Sequence, residues 1–331
     1  MDPVTHLTSG ALAGQALRGK IQSRLVLPFC VLAAWIPDID NFMGLGPEAY
    51  LLHHRGVTHS IFGALGLALI LAGIFRLFSK NFSLGKAFAV AYALILVHIY
   101  LDLITSFGTQ ILAPFTRTRF ALSSVFIIDP FLTLPGLLVF VLSLFLKVRR
   151  KQAAVLGLAF MLLYPMACLG VRHVVKVSLA DRPARENIGY EKLDVTTALL
   201  SPLYWKVVVD DGQSLRTATI SLVPGAKEPL VFEDFPKADE ALLEKLGETE
   251  SLFATWSWFA VYPVMENSGT ETGREIVFRD LRFYGSAPLI KRLSPDRRVP
   301  FTLTAFLDAR GELTGYRYSH PGKSVVYSVS D

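Results

Sequence analysis

The chain has 331 residues, of which 52% are hydrophobic and 18% charged, with a formal net charge of +5. Soluble globular domains carry about 25% charged residues, so the composition excludes an ordinary soluble protein, and it also excludes a disordered chain. The charge is uneven, because residues 1–175 hold 14 Lys/Arg and 6 Asp/Glu, whereas residues 176–331 hold 19 and 22. This division predicts an apolar membrane domain over 1–175 and a domain of soluble composition over 176–331.

Four apolar segments are long enough to cross a bilayer, which takes roughly 17–25 residues. They are 61–78, 87–107, 125–146 and 153–175. The stretch 25–37 is too short to span comfortably, and with the small residues of 7–17 it predicts a helical hairpin packed against the bundle. The predicted fold is a polytopic α-helical membrane domain, with about four long spans plus an N-terminal helical hairpin, followed by a β-rich soluble domain.

The second half has the patterns of strands and turns. Residues 205–225 predict two strands around an Asp-Asp-Gly turn, and residues 301–319 predict a hairpin that turns at 309–312. The apolar spacing of 239–248 predicts a short helix between them. The charged stretch DRPARE, at 181–186, marks the boundary between the two halves.

Basic residues in the short loops predict the orientation, because cytoplasmic loops carry an excess of Lys and Arg. One set of connections carries ten such residues, namely Arg18, Lys20, Arg24, Arg76, Lys80, Lys86, Lys147, Arg149, Arg150 and Lys151. The opposite set carries Arg55, Arg117 and Arg119. We therefore expect a multi-pass protein of the bacterial cytoplasmic (inner) membrane, with loops 38–60 and 108–124 and the C-terminal domain outside the cytoplasm. The scattered basic residues form no stripe with stacking aromatics, so no nucleic-acid partner is expected.

Polar side chains are costly in or beside a bilayer, so the histidines and acids of the apolar half are candidates for function. They are His6, Asp38, Asp40, His53, His54, His59, His98, Asp102 and Asp129. His98 and Asp102 are four residues apart, which places both on one helix face. In the predicted orientation the candidates gather at the outer side of the membrane.

His and Asp together suit a divalent metal, zinc first and manganese second. Such an ion lowers the pKa of a bound water, which then becomes a nucleophile. Simpler interpretations stay open: Asp40 and Asp129 would cap helices, and His98 with Asp102 would form a structural ion pair. A Ser-His-Asp triad using Ser60 or Ser106 is disfavoured, because the chain has no Gly-x-Ser-x-Gly elbow.

The segments THLTSGALAG, IPDID, HHRGVTHS and HIYLDLITSFGTQILAPF, followed by a later Asp-Pro, resemble the YdjM-like family of membrane-bound, predicted metal-dependent hydrolases. The resemblance covers about 1–175. It implies metal ligation or catalysis by His6, Asp38, Asp40, His54, His59, His98 and Asp102. The order of these residues is more loosely similar to zinc-dependent phospholipase C and P1-type nucleases. Those enzymes have a His-x-x-x-Glu motif late in their helical domain. Here the residue four positions after His173 is Val177, so this motif is missing.

These patterns predict a membrane-bound metal-dependent hydrolase that acts on a phosphoester or phospholipid-like substrate at the outer membrane face. In this hypothesis one or two metals are held by His6, Asp38, His59, His98 and Asp102. Asp40 or Asp129 is a further ligand or the general base, and Arg55, Arg117 or Arg119 pairs with an anionic group. The alternatives are a metal-binding membrane transporter and a structural membrane protein without catalytic activity. The lipid bilayer is an expected partner, and the C-terminal domain is expected to cover the site or to bind a partner, with protein partners left open.

Overall fold

The computed structural model describes residues 1–21, 23–80, 82–146, 148–179, 190–223, 230–270, 273–285, 299–320 and 323–329. Its helices α1 to α9 are Pro3–Leu17, Val26–Trp35, Pro47–His53, Ile61–Phe78, Leu84–Leu103, Pro130–Phe145, Arg150–Leu179, Glu240–Thr249 and Ser251–Phe259. Its strands β1 to β9 are Lys192–Thr197, Tyr204–Asp210, Ser214–Ser221, Glu233–Pro236, Pro263–Thr270, Gly273–Asp280, Thr302–Asp308, Leu313–His320 and Lys323–Ser328. The predicted boundary stretch 181–186 lies outside the described residues.

The chain forms two compact units. Unit 1 comprises Met1–Gly44, His53–Arg172 and Leu200–Pro202, and unit 2 comprises Leu45–Leu52, His173–Leu199 and Leu203–Asp331. Helices α4, α5 and α7 are long and apolar enough to cross a membrane, and α6 is a shorter apolar helix. The predicted fold class, a helical membrane region followed by antiparallel sheets, is confirmed.

The third predicted span is shorter than expected. The sequence predicts it over 125–146, but α6 begins at Pro130. The carboxylate of Asp129 accepts hydrogen bonds from the backbone N–H groups of Phe131 (2.8 Å) and Leu132 (3.2 Å). An Asp cap followed by a proline at the first helical position is a strong start signal, so the apolar residues before it are excluded from the helix.

The predicted N-terminal hairpin is confirmed, since α1 and α2 pack against each other. Two glycines permit the close approach: a Cβ on Gly10 would lie 2.6 Å from the carbonyl oxygen of Cys30, and one on Gly14 would lie 2.8 Å from Leu27 Cδ1. These contacts run antiparallel, so the end of α2 returns to the start of α1. Residues that follow α2 and residues near the N-terminus therefore meet at one end of unit 1.

Helices α2, α4 and α5 share an apolar core rich in alanine. Its fully buried small residues are Ala33, Ala64, Ala68, Ala72, Ala87 and Ala91. Small side chains let helix backbones approach closely where lipid supplies no hydrophobic driving force. Because a short connection joins α4 to α5, the start of α4 and the end of α5 lie at the same end of unit 1.

Unit 2 contains a four-stranded sheet, β1-β2-β3-β4, and a five-stranded sheet, β5-β6-β7-β8-β9, in which the paired strands are antiparallel. The predicted strands around the Asp-Asp-Gly turn are β2 and β3, and the predicted hairpin at 309–312 is β7 and β8. The predicted short helix is α8, capped by Asp239. The hairpin of β5 and β6 was not predicted from the sequence.

Gly10→Ala should reduce the stability of unit 1. The new methyl group would meet the Cys30 carbonyl, the Ala34 side chain and the Val31 backbone within 2.8 Å, and overpacking of this kind costs about 1–3 kcal/mol. Gly66→Ala is the matched control, because a Cβ at Gly66 meets no atom within 4 Å. Thermal unfolding of the two variants in detergent measures the difference, and equal melting temperatures would contradict the close packing of α1 on α2.

Candidate metal centre

Four buried side chains converge at the end of unit 1 where the helices meet. Asp38 lies in the 3₁₀ turn Ile36–Phe42, His59 ends the 3₁₀ turn Val57–His59, and His98 and Asp102 lie on one face of α5. One potential ligand atom from each of these residues lies within 4.8 Å of the others. We call Asp38, His59, His98 and Asp102 the four-residue cluster.

The local sequence fixes each of these positions. The i, i+4 spacing in α5 stacks His98 above Asp102. Ser60 caps α4 by accepting a 2.8 Å hydrogen bond from the backbone N–H of Gly63, so His59 sits directly before the first helical turn. Pro37 opens the 3₁₀ turn that carries Asp38, and proline is well suited to such a first position.

The distances between the potential ligand atoms fit a small metal ion. The Nε2 atoms of His59 and His98 are 3.1 Å apart. Asp102 Oδ2 is 3.2 Å from the first and 3.4 Å from the second, and Asp38 Oδ1 is 3.4 and 3.8 Å from them. Ligand bonds of about 2.0–2.2 Å in a tetrahedral site require ligand atoms about 3.3–3.6 Å apart, which is close to the observed spacing.

Hydrogen bonds to the far side of each imidazole direct its Nε2 atom into the cluster. His98 Nδ1 is 2.7 Å from the carbonyl oxygen of Ala34, which can only accept, so Nδ1 carries the proton. His59 Nδ1 is 3.0 Å from Thr58 Oγ1 and 3.5 Å from Asp40 Oδ2. Histidine ligands of metals are commonly oriented in this way by a carbonyl or a carboxylate.

The position between the two Nε2 atoms needs a proton or a cation, because two lone pairs cannot face each other at 3.1 Å. Burial disfavours the charged form of His59, but the neighbouring carboxylates of Asp102 and Asp38 outweigh burial and raise its pKa to about 9. Asp102 Oδ2 also points into the cluster, and although buried it has no hydrogen-bond partner among the described residues. A metal ion would accept the lone pairs of both Nε2 atoms and of Asp102 Oδ2 at the same time.

The charge of the surrounding side chains also favours a divalent cation. Burial opposes ionisation of Asp38 and Asp40, yet hydrogen bonds with His59 and His54, respectively, hold the pKa of each below its ordinary value. With Asp102, three carboxylates therefore lie beside the guanidinium of Arg55, the amino group of Met1 and the imidazole of His59, whose pKa is raised. Buried carboxylates are costly unless positive charge compensates them, and a divalent ion would supply such charge in place of the proton on His59.

Arg55 orients the cluster from the side. Its Nη2 atom is 2.9 Å from Asp102 Oδ1, and Nη1 donates to the Asp102 carbonyl oxygen (3.3 Å) and to Thr105 Oγ1 (2.9 Å). Its backbone N–H donates to Asp40 Oδ2 at 3.1 Å, and its guanidinium lies 4.8 Å from the Phe107 ring centre. Arg55 thus occupies one carboxylate oxygen of Asp102 and leaves the other for the cluster. The role toward an anionic group that the sequence predicts for Arg55 stays a prediction.

The structure places two further predicted ligands beside the cluster. His6 is fully buried, with its ring stacked on His98 at 3.7 Å and its Nε2 atom 3.4 Å from Asp102 Oδ1. Neither ring nitrogen of His6 has a hydrogen-bond partner among the described residues. His54 Nδ1 is 3.2 Å from Asp40 Oδ1, so His54 reaches the cluster through Asp40 and His59. The amino group of Met1 donates a hydrogen bond to Asp102 Oδ1.

Asp129 has other contacts. Besides capping α6, its carboxylate accepts hydrogen bonds from the Tyr164 hydroxyl (3.3 Å) and the Ser201 hydroxyl (3.5 Å). Its role as ligand or base stays a prediction. Arg119 donates to the carbonyl oxygen of Gly108 at 2.9 Å, whereas Arg117 is exposed.

Sequence reasoning missed two residues that hold the site in place. The carbonyl oxygen of Ala34 fixes the tautomer of His98, and the hydroxyl of Thr105 accepts from Arg55. A backbone acceptor leaves no signal in the sequence, because every residue has one. Thr105 could have been found, since it stands three residues after Asp102 and donates to its carbonyl oxygen at 2.8 Å.

Asp40→Asn should weaken metal binding about 10–100-fold, the usual effect of losing a carboxylate that orients a histidine ligand. The amide keeps the shape of Asp40 but loses the negative charge beside His59 Nδ1 and His54 Nδ1. Zinc affinity is measured by competition with a chelating indicator in detergent. Asp234→Asn, at an exposed position of β4, is the control. Equal affinities in the two variants would show that Asp40 does not support the site.

Comparison with known proteins places the helical half in a family of membrane proteins. The family described as YdjM inner membrane protein matches residues 1–177. The uncharacterized protein YfhP of Bacillus subtilis (strain 168) is 31% identical over 140 residues, which cover 40% of this chain and 43% of that protein. The match thus spans less than half the length of this curated relative. No solved structure matches the chain. Since the family covers more than half of the residues, the chain belongs to the YdjM inner membrane protein family.

Proposed function

We propose that this protein is a membrane-bound metal-dependent hydrolase that acts on a phosphoester or phospholipid-like substrate at the outer face of the membrane. The observation that carries the proposal is the four-residue cluster, in which two oriented imidazoles and two carboxylates point at one buried position. A divalent ion bound there, zinc first, would supply an activated water and a positive charge for a phosphoryl oxygen. Membrane localisation itself follows from the family and the apolar helices.

The residues of the chain divide into two roles under this proposal. Those that would hold the ion are Asp38, His59, His98 and Asp102, with His6 as a further ligand. Asp40 and Arg55 position them: Asp40 fixes His59, and Arg55 fixes Asp102. His54 lies on the far side of Asp40, where it is placed to receive or return a proton through that carboxylate.

The predicted orientation supports a substrate that is met outside the cytoplasm. The cluster lies at the end of unit 1 that carries the loops with three basic residues, opposite the loops with ten. By the positive-inside rule this is the non-cytoplasmic end. The second candidate function is a metal-handling membrane transporter, which the same cluster would serve as an ion site.

The metal content of the detergent-purified protein tests the site first. Wild type should hold about one equivalent of zinc or manganese, the stoichiometry of a single four-ligand site. His98→Ala/Asp102→Ala should hold none, because it removes a nitrogen and a carboxylate ligand. His59→Ala is a second variant that leaves the Arg55–Asp102 ion pair intact, and circular dichroism checks that both variants keep their helices.

His53→Ala is the matched control for metal content. His53 is exposed and neighbours His54 in the same motif, but it is not part of the cluster. It should therefore retain the metal. If wild type binds no metal even after incubation with excess ion, the hydrolase proposal is wrong, and the cluster is a buried polar network that holds the helices together.

Turnover separates the hydrolase from the transporter. Wild type loaded with zinc should cleave a chromogenic phosphodiester or a labelled phospholipid, whereas His98→Ala/Asp102→Ala should show only the background rate. In parallel, proteoliposomes are tested for uptake of radioactive zinc. Uptake that depends on the cluster, with no cleavage of either substrate, would favour the transporter and reject the hydrolase.

A further inference from the structure

The turns and the loop around the metal centre carry large apolar side chains on their outside. Ile39 lies between Asp38 and Asp40, Phe42 and Met43 follow directly, and Val57 lies two residues before His59. With Phe115 they form a set that we call the apolar rim. The exposed fractions are 40% for Ile39, 73% for Phe42, 65% for Met43, 51% for Val57 and 77% for Phe115.

Such exposure on short turns has no explanation in the packing of unit 1. Single exposed apolar residues are ordinary, but several large ones in neighbouring turns mark a surface that meets something other than water. In the turn Ile36–Phe42, Asp38 and Asp40 are buried while Ile39 and Phe42 are exposed. The turn thus holds its two carboxylates inside and presents Ile39 and Phe42 outside, together with the polar side chain of Asn41.

Phe115 of the apolar rim continues the exposed apolar surface of helix α4. The ring of Phe115 contacts the ring of Phe62, in the first turn of α4, with centres 4.9 Å apart. The backbone N–H of Ile61 donates to the carbonyl oxygen of Ile111 at 3.0 Å, which fastens this loop to the start of α4. Phe62 is itself 44% exposed, and further exposed residues follow it along the helix, namely Leu65, Leu69, Ile70 and Ile74. The surface that faces lipid along α4 therefore runs without a break onto Phe115.

Side chains typical of a membrane–water interface flank the apolar rim. Trp35, at the end of α2, is partly exposed, and its ring packs on Phe42 with centres 5.7 Å apart. Tryptophan is enriched at the level of the lipid headgroups. Arg117 is exposed two residues after Phe115, where its guanidinium can pair with lipid phosphates.

We propose that the apolar rim is inserted into the interfacial layer of the same bilayer that the helices cross. The metal centre, held by the same turns, then lies beside the lipid headgroups. It follows that the substrate is an amphiphile whose acyl chains stay in the bilayer while its headgroup reaches the cluster. The insertion stands on the exposure of the rim and on the contact of Phe115 with the exposed surface of α4, whereas the nature of the substrate rests on the proposed function.

An environment-sensitive fluorophore tests the insertion without any need for activity. Phe42→Cys and Phe115→Cys are labelled with a nitrobenzoxadiazole dye and reconstituted into phosphatidylcholine–phosphatidylglycerol vesicles. Both side chains are mostly exposed, so their replacement removes few contacts. The expected result is blue-shifted emission that is quenched by lipids with a spin label near the headgroup. Glu244→Cys, exposed on α8, should show water-like emission without quenching. Unsubstituted protein measures any reaction of the buried Cys30 and Cys168.

Two results would overturn the proposal. Water-like emission at both rim positions would show that the rim faces solvent. A blue shift without quenching by the lipids would show that protein covers it, either a second copy or another partner. These readouts do not involve the metal, so they remain valid if the hydrolase proposal fails.

The substrate class is tested separately with Phe42→Asp/Phe115→Asp. If substrates are taken from the bilayer, this variant should lower the cleavage of a long-chain phospholipid in vesicles at least tenfold more than that of a water-soluble short-chain phosphodiester. Equal effects on both would reject the amphiphilic substrate and leave the insertion to be decided by the fluorescence. Lipid-quenched labels together with no cleavage by wild type would reject the proposed function alone.

Discussion

The arrangement of unit 1 depends on one electrostatic constraint, the meeting of two imidazole nitrogens and two carboxylates in an apolar interior. The Nε2 atoms of His59 and His98, 3.1 Å apart, cannot share this space without a proton or a cation between them. Buried charge of this kind is costly unless it is compensated. Ala34 O accepts a hydrogen bond from His98, the carboxylate of Asp40 lies beside His59 Nδ1, and Arg55 pairs with Asp102, so that the remaining lone pairs converge. This convergence is the reason that the four-residue cluster could hold a metal ion.

Helix packing delivers these groups to one place. The glycine contacts between α1 and α2 place the end of α2 beside the start of α1. The alanine-rich contacts between α4 and α5 place the end of α5 beside the start of α4. A short turn beside each pair carries one residue of the four-residue cluster: Asp38 follows α2, and His59 precedes α4. Small side chains allow close helix packing in lipid. The positions of the four-residue cluster therefore depend on helix contacts that do not include the cluster itself.

The turns that carry the ligands also carry the apolar rim, and this combination connects chemistry with membrane position. In the sequence Asp38-Ile39-Asp40, the two carboxylates point into unit 1 and the apolar side chain points away from it. A single short segment can therefore bind an ion and contact lipid. Under our proposals, this keeps the reacting group at the depth of the headgroups, where an amphiphilic substrate is most concentrated.

The fold class and the residue types of the candidate site could be predicted from local residue patterns. Long apolar segments can only be satisfied as packed helices in lipid, and the spacing of His98 and Asp102 dictates a shared helix face. The tertiary structure alone decided which candidates meet. It brought Asp38 and His59 to that helix face and turned Arg55 toward Asp102. It also gave the carboxylate of Asp129 the hydroxyls of Tyr164 and Ser201 as partners. It also supplied Ala34, whose contribution is a backbone carbonyl. Contacts between residues dozens of positions apart depend on helix packing angles and turn geometry, which local patterns of residues do not encode.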